Sequence, residues 1–362
     1  MLNKKTVPSK LDFMQDTLDF YNQLGLDFNV PVTDSPADAW MIVNGRRVLN
    51  LCSNNYLGLA NHPQIKEAAK QAIDRWGVGA GAVRFFSGTQ AIHVELERSL
   101  AKFKGTEAAM YTQTGFIANL CSVSALMGHE DVVFSDALNH ASIIDGARLS
   151  KAKIVVYEHC DMNDLRSKIE ENLQGHRRGL VITDGVFSMD GDLAPLDQIA
   201  SIAEEYNLLT LVDDAHGEGV MGHGRGIVHH YGLEGKIDVE VGTLSKALGV
   251  IGGVVAGKKL VVDFIRAEGR AQNYSTATTP ADTAACLAAI KLLSKSTELV
   301  ERLWENTRYL RQGLEVLGFN LGITQTPILP VLLGDVGLAK SFETCLFQEN
   351  VFAIGIGYPI VP

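Results

Sequence analysis

The segment Leu208-Leu209-Thr210-Leu211-Val212-Asp213-Asp214-Ala215-His216 joins a short apolar run to a group of polar side chains. The apolar run predicts a buried strand, and Asp213 would stand at its carboxyl end. In sheets of parallel strands, ligands bind in the crevice outside the carboxyl ends of the strands. The segment therefore predicts both a strand of such a sheet and an acidic side chain that faces a ligand.

Further apolar runs lie on both sides of this strand and alternate with helical patterns, such as residues 197–206. The runs that predict strands are residues 108–111, 132–134, 154–157, 180–182 and 252–256. This alternation is typical of an α/β fold in which helices cover a mostly parallel sheet. The central part of the chain is therefore predicted to form such a sheet.

The pattern changes toward both ends of the chain. We predict an N-terminal arm over residues 1–55 that is a helix at 11–24 and irregular beyond it. A large domain would follow over residues 56–295, and a small α+β domain over residues 296–362. The small domain would begin with an amphipathic helix at residues 297–317, which Gly318 would end as a C-terminal cap.

Composition excludes several classes of protein. The 362 residues include 32 Lys and Arg against 42 Asp and Glu, a formal net charge of −10. Without a basic stripe, an acidic chain is not expected to bind nucleic acid, because phosphate contacts need clustered Lys and Arg. No signal peptide or membrane helix is apparent, so we expect a cytoplasmic protein. The five Cys form no CxxC pair, so neither a metal site nor a disulfide framework is predicted.

Two glycine patterns match nucleotide-binding motifs imperfectly. Residues 217–222 fit GxGxxG, but four residues separate the motif from the preceding strand, whereas a Rossmann motif should open a helix directly. Residues 252–258 fit GxxxxGK, but Lys259 follows where a P-loop needs Ser or Thr. We therefore favour neither motif, although a dehydrogenase that binds nicotinamide stays open as an alternative.

Lys246 is the only charged residue between Glu240 and Lys258. Apolar, Gly-rich surroundings remove water from an amine and lower its pKa. A neutral amine is a nucleophile that forms Schiff bases with carbonyl compounds. Lys246 is therefore a candidate catalytic residue, the plain alternative being an exposed lysine on a loop.

Two further features suit a phosphorylated cofactor. Gln113-Thr114-Gly115-Phe116-Ile117-Ala118-Asn119 follows a predicted strand and begins a helical pattern, so free backbone N–H groups there would suit a phosphate. Asp213 could keep a pyridine nitrogen protonated, with His216 close to a phenolic oxygen on the same ring. Each feature alone also fits an ordinary turn.

Together, these features resemble the fold-type-I enzymes of pyridoxal 5′-phosphate (PLP), and in particular the α-oxoamine synthase family of acyltransferases. Five segments carry the resemblance in order along the chain: Asn54-Asn55-Tyr56-Leu57-Gly58-Leu59, Asn139-His140-Ala141-Ser142, Thr183-Asp184-Gly185-Val186-Phe187-Ser188-Met189-Asp190-Gly191, Asp213-Asp214-Ala215-His216 and Thr243-Leu244-Ser245-Lys246-Ala247. The family includes glycine C-acetyltransferase, 8-amino-7-oxononanoate synthase, 5-aminolevulinate synthase and serine palmitoyltransferase. The resemblance implies a PLP enzyme that joins an amino acid to an acyl-CoA.

The resemblance also implies a role for each matching position. Lys246 would form the Schiff base with PLP, and Asp213 would pair with the pyridine nitrogen. His140 would stack on the ring. The remaining implied ring and phosphate contacts are those of His216 and Ser188 with the 3-oxygen, and of Gly115, Phe116 and Thr243 with the phosphate.

Other implied contacts involve the substrates and a second subunit. Asn54 would help to hold the substrate carboxylate. Ser275 and Thr276 would reach the phosphate in the other subunit of a homodimer with shared active sites. Gly79, Gly81 and Arg84 would lie near the acyl-CoA entrance.

The branch of the family decides the substrates. Residues 139–146, 213–217 and 303–307 look most like the glycine C-acetyltransferase branch. The expected reaction is the condensation of glycine with acetyl-CoA, with 8-amino-7-oxononanoate synthase, which joins alanine to a pimeloyl thioester, as the alternative. A regulatory subunit without activity is a third possibility, which Lys246 disfavours. Relatives continue beyond the position of Pro362 to an Arg that clamps the substrate carboxylate and then to a closing helix. Either the sequence is truncated or the protein lacks this anchor. We therefore expect a complete cofactor site, but impaired glycine binding and an impaired stability of the small domain.

Overall fold

The structure is a computed structural model that describes residues 9–23 and 30–357. The chain divides into two compact units. The larger unit spans Ser53–Leu332, and the smaller one combines the described residues before Ser53 with those after Leu332. The three-part division drawn from the sequence stays a prediction.

A seven-stranded sheet forms the centre of the larger unit. Its strands are β3 (Ala108–Thr112), β4 (Val132–Asp136), β5 (Lys153–Tyr157), β6 (Gly179–Asp184), β7 (Leu209–Asp213), β8 (Val239–Thr243) and β9 (Gly253–Gly257). They lie in the order β3-β9-β8-β7-β6-β4-β5, and every neighbouring pair is parallel except the two that include β9. The predicted α/β fold with a mostly parallel sheet is confirmed.

Helices cover both faces of this sheet. They are α2 (Pro63–Trp76), α3 (Ala91–Lys104), α4 (Gly115–Leu126), α5 (Ala141–Ser150), α6 (Met162–Asn172), α7 (Leu196–Glu205), α8 (Ile227–His230), α9 (Lys259–Glu268), α10 (Arg270–Asn273), α11 (Pro280–Leu293) and α12 (Glu298–Val316). The alternation of side chains along a strand separates two apolar clusters, because Val181 belongs to one and its neighbours Leu180 and Ile182 to the other. Strands buried on both faces explain the continuous apolar runs of the sequence.

The smaller unit contains α1 (Asp12–Gln23), β1 (Trp40–Val43), β2 (Arg46–Asn50), α13 (Val336–Gln348) and β10 (Val351–Phe352). The predicted helix at 11–24 corresponds to α1, although residue 24 lies outside the described residues. The rest of the arm is not irregular, because β1 and β2 form an antiparallel hairpin to which β10 adds in parallel. Asn44 and Gly45 close the hairpin with φ of 48° and 75°, as a two-residue turn of this type requires.

The two nucleotide-binding motifs have other structures. Residues 252–258 are essentially strand β9, so they form no phosphate-binding loop. Residues 217–222 form turns, with the Gly217 and Glu218 N–H groups donating to the Asp214 carbonyl, and no α-helix of the described chain begins within them. Strand β8 was not predicted at all.

None of the helices formed by residues 9–23 and 30–357 combines the length and the apolar character that crossing a bilayer requires. Residues 358–362, after which the predicted departure from the family begins, lie outside the described residues.

Candidate active site

The carboxyl ends of β6, β7 and β8 meet the N-terminus of α4 around a cavity of about 230 Å³. Most of the predicted site residues line this cavity. They are Gly115, Phe116, His140, Ser188, Asp213, His216, Thr243 and Lys246, joined by Thr114, Ser142, Asp184, Ala215 and Ser245. The sheet thus brings together residues that lie far apart in the sequence, at the edge where ligands bind in folds of this kind.

Asp213 ends strand β7, and its side chain is held by two donors. Asn119, buried on α4, donates from Nδ2 to Asp213 Oδ2 at 2.6 Å. The N–H of Ala215 donates to Asp213 Oδ1 at 2.9 Å. Hydrogen bonds to both oxygens therefore fix the orientation of the Asp213 carboxyl group at the cavity.

A chain of hydrogen bonds continues from Asp213 to the opposite wall. Asn119 also donates to Ser142 Oγ at 2.8 Å, and Ser142 Oγ shares a 2.8 Å hydrogen bond with His140 Nδ1. The backbone N–H of His140 donates to Asp184 Oδ2 at 2.7 Å. His140 is also the N-cap of α5, so its side chain is oriented by the helix as well as by Ser142. Asn119, Ser142 and Asp184 were not assigned roles from the sequence, although each lies in a segment singled out there.

Lys246 and the two histidines have lowered pKa values. Burial lowers the pKa of Lys246, against the attraction of Asp213 and Asp184, which favours the neutral nucleophilic amine. Burial lowers the pKa of His216 to about 3, and the positive charge of Lys246 acts in the same direction. Burial likewise lowers the pKa of His140, with Asp213 opposing and Lys246 assisting. Both imidazoles are therefore neutral at pH 7.

Further contacts place the two histidines. His216 Nδ1 shares a hydrogen bond of 2.7 Å with the hydroxyl of Tyr56, a residue of the first segment that resembles the family. The ring of His140 lies 6.5 Å from the ring of Phe116, nearly edge-on at 79°. Phe116 and His140 thus border the same opening of the cavity.

The N-terminus of α4 faces the end of β8. Thr114 is the N-cap, and its Oγ1 accepts from the N–H of Ile117 at 3.1 Å. A Cβ on Gly115 would lie 3.0 Å from Thr243 Cβ, so glycine allows the helix to begin directly against the strand. The first N–H groups of a helix have no partner within the helix and attract anions, so this corner suits a phosphate.

Other predicted residues lie outside the cavity lining. The side chain of Asn54 is exposed, and Ser275 and Thr276 are near residue 83, since Thr276 forms an isolated bridge with Val83. Arg84 pairs with the buried Glu97 at 3.0 Å, so this arginine has a structural partner. The roles proposed for these residues in a second subunit or in substrate binding stay predictions.

The larger unit also contains a second cavity and a cluster of side chains of the types that bind metal ions. A larger cavity of about 570 Å³ lies beside Trp304 on α12, but none of the predicted site residues lines it. The side chains of Asp136, His159 and Cys160 also lie close together. His159 already bridges Asp136 and Asp192 at 2.9 Å each, and these carboxylates raise its pKa to about 12, so its nitrogens hold protons. Of these three features, only the cavity around Lys246 is lined by the predicted site residues.

Known proteins resemble this chain in sequence and in fold. The family model for aminotransferases of class I and II matches residues 46–362. The 8-amino-7-oxononanoate synthase of Fervidobacterium nodosum is 54% identical over 353 residues, 96% of this chain and 89% of that protein. The enzyme of the same name from Thermosipho melanesiensis is 53% identical over 351 residues, 97% of this chain and 89% of that protein.

The chain belongs to the class I and II aminotransferase family. Within this family it is of the α-oxoamine synthase type. Among solved structures, a serine palmitoyltransferase from S. paucimobilis with a bound PLP–myriocin aldimine superposes with a TM-score of 0.90 at 32% identity, over 98% of this chain and 90% of that one. The PLP cofactor predicted from the sequence is thereby confirmed at the level of the family.

The cavity of this family member fits PLP on its own chemistry. The amine of Lys246, which has a lowered pKa, the carboxyl group of Asp213 and the N-terminus of α4 converge there, which matches an aldehyde, a pyridine nitrogen and a phosphate. The predicted substrates, in contrast, were wrong. Five curated relatives, 48% to 54% identical, are 8-amino-7-oxononanoate synthases and not glycine C-acetyltransferases. The segments behind the prediction lie largely around the cofactor cavity, so they say little about the acyl chain.

Proposed function

We propose that the protein is an 8-amino-7-oxononanoate synthase that condenses alanine with a pimeloyl thioester. The observation that carries the proposal is the similarity to curated enzymes of that name, which reaches 54% identity over 96% of this chain. A new carbon–carbon bond would join Cα of alanine to the acyl carbon. The thiol would leave as the carbon–sulfur bond breaks, and the carboxylate of alanine would leave as CO₂.

The residues of the cavity would hold PLP from several sides. Lys246 would bind it through its amine, Asp213 would face the pyridine nitrogen, and the N-terminus of α4 with Thr243 would receive the phosphate. His216 and Ser188 would contact the 3-oxygen, and His140 would cover the ring. When bound, PLP supplies an electron sink that stabilises negative charge on the carbon next to the substrate amine.

Lys246 and His140 would move the protons of the reaction. Because burial lowers the pKa of Lys246, a larger share of its amine is neutral than in an exposed lysine, so this amine can accept the Cα proton of alanine. The neutral imidazole of His140 can hydrogen-bond the thioester carbonyl, while Ser142 fixes its other side through Nδ1. Asn119 would keep Asp213 oriented throughout.

We also propose that two copies of the chain form the working enzyme. Ser275 and Thr276 are absent from the lining of the cavity within one chain, which agrees with a role in the site of a second subunit. Asn54, whose side chain is exposed, would bind the substrate carboxylate in the assembled dimer.

Steady-state kinetics of the purified holoenzyme test the proposed function. Alanine and glycine are each combined with pimeloyl-CoA and acetyl-CoA, and release of the free thiol is followed. We expect the highest kcat/KM for alanine with the pimeloyl thioester, together with release of CO₂. A preference for any other of the four pairs would contradict the proposal. The Lys246→Ala variant provides the background rate.

A further inference from the structure

A cluster of four charged side chains lies in the core next to the cofactor cavity. Lys104, the last residue of α3, places its Nζ 3.1 Å from Asp214 Oδ2, 3.6 Å from Glu240 Oε2 and 3.9 Å from Glu218 Oε1. All four residues are buried. We call Lys104, Asp214, Glu218 and Glu240 the buried quartet.

 

The exposed fraction of each quartet residue is 2% or less. The quartet pairs one cation with three carboxyl groups, so it carries excess negative charge unless some carboxyls hold protons. Burial raises the pKa of both Glu218 and Glu240 to about 7, against the attraction of Lys104. Asp214 has more hydrogen-bond donors, because it also accepts from the N–H of Ile227 at 3.0 Å. In the described part of the chain, neither oxygen of Glu218 has a hydrogen-bond partner. The geometry therefore favours an ionised pair of Lys104 and Asp214 beside protonated glutamic acids.

Three glycines make room for the quartet. A Cβ on Gly217 or on Gly226 would overlap the carboxylate oxygens of Asp214, and a Cβ on Gly242 would overlap Glu218 Oε2. Gly217 belongs to the GxGxxG pattern of the sequence. This pattern thus accommodates buried carboxyl groups rather than a dinucleotide.

Asp214 connects the quartet to the cofactor cavity. It stands between Asp213 and Ala215, and its N–H donates to the carbonyl of Val241 at 2.7 Å. Its carbonyl accepts from the N–H groups of Gly217 and Glu218, at 3.1 and 2.8 Å, and so closes the turn that carries His216. Any movement of Asp214 would therefore displace the two cavity residues on either side of it.

We propose that Lys104 is a positioning residue, whose ion pair with Asp214 fixes the turn that presents Asp213 and His216 to the cofactor. The inference rests on the proposed function only in requiring PLP in the cavity, not in the choice of substrates. Removing one member of a buried ion pair leaves an uncompensated charge, which the structure relieves by moving or by admitting water. In either case, the side chain of Asp213 loses its fixed place.

The test compares Lys104→Met with Glu218→Gln in holoenzyme. Glutamine has nearly the same shape as the glutamic acid that it replaces in the quartet. Its amide cannot ionise, so the variant removes the titration of this side chain. We expect Lys104→Met to weaken PLP binding by about tenfold or more and to shift the pH dependence of the cofactor's visible absorption. Glu218→Gln should leave both properties at neutral pH within about twofold of the original protein.

Loss of stability alone would not produce that pattern. A folded Lys104→Met protein with unchanged PLP affinity and an unchanged absorption profile would overturn the proposal. If this variant does not fold, the triple variant K104M/E218Q/E240Q removes the two excess carboxyl groups and is measured in the same way. It should still bind PLP weakly, because Asp214 still lacks its partner, and affinity equal to that of the original protein would refute the role of Lys104. Because these measurements need no acyl substrate, a failed test of the alanine and pimeloyl reaction would not affect them.

Discussion

Asn119 on α4 donates a 2.6 Å hydrogen bond to the carboxylate of Asp213 on β7, across 94 residues of sequence. Because Asn119 is fully buried, its removal would leave an oxygen of Asp213 without this donor, at a cost of about 1–3 kcal/mol. We expect Asn119→Ala to lower kcat/KM by roughly tenfold to a hundredfold. Activity assays and PLP titration measure the effect. The exposed Asn163→Ala is the control, and equal kinetics for the two variants would contradict a role for Asn119.

Replacement of Lys246 by Ala should abolish turnover, because none of the other described residues that line the cavity carries an amine. The visible absorption of the bound cofactor should change at the same time, since the covalent link is lost, while the melting temperature without PLP stays close to that of the original protein. Absorption spectra and single-turnover assays report the two effects. Lys258→Ala, whose side chain is 52% exposed, should behave like the original protein. A Lys246→Ala protein that still turns over would disprove the assignment.

The quartet should make stability depend on pH. The pKa of Glu218 and of Glu240 is raised from 4.5 to about 7 in the folded protein, so folding binds protons. This contribution to stability is complete below about pH 4.5 and is lost as the pH rises through about 7. We expect the melting temperature to fall by a few degrees between about pH 6 and pH 8.5, and less so for Glu218→Gln. Identical slopes for the two proteins in thermal unfolding would show that Glu218 does not titrate in this range.

His159 should stabilise the loop that carries Ser188. Its imidazolium joins Asp136, at the end of β4, to Asp192, four residues beyond Ser188. We expect His159→Ala to lower the free energy of unfolding by about 1–3 kcal/mol and to speed hydrogen exchange of residues 185–194. Denaturant unfolding and exchange mass spectrometry measure these changes. His176→Ala is the control, because within residues 9–23 and 30–357 no carboxylate pairs with this histidine. Unchanged exchange in His159→Ala would be evidence against the contact.

Much of the sheet was predictable because strands buried on both faces leave continuous apolar runs, as in residues 180–182. Strand β8 was not predictable, because Glu240 and Gly242 interrupt its run of apolar residues. Both residues are explained only by the quartet, since Glu240 pairs with Lys104 and Gly242 makes room for Glu218. The β1–β2 hairpin had a usable signal in Asn44-Gly45, which is a strong sign of a two-residue turn.

The cofactor cavity was predictable to a similar extent. Asp213 and Lys246 stand out because a strand-end acid and an isolated lysine are visible in the sequence alone. Asn119 and Asp184 do not stand out, because what they do depends on contacts between elements that are distant in the sequence. The substrates were predicted wrongly for a related reason, since the segments used for the prediction surround the cofactor rather than the acyl chain.

The antiparallel pairing of β8 with β9 has a consequence for how this enzyme can vary. Thr243 and Gly253 are opposite each other in the register, so the connection that carries Lys246 joins two adjacent central strands. An insertion or deletion there would change the reach of the amine toward the cavity. The helical crossovers elsewhere in the sheet can change length on the outer surface without such an effect. Lineages of this protein should therefore keep the length of this short connection constant while their outer loops diverge.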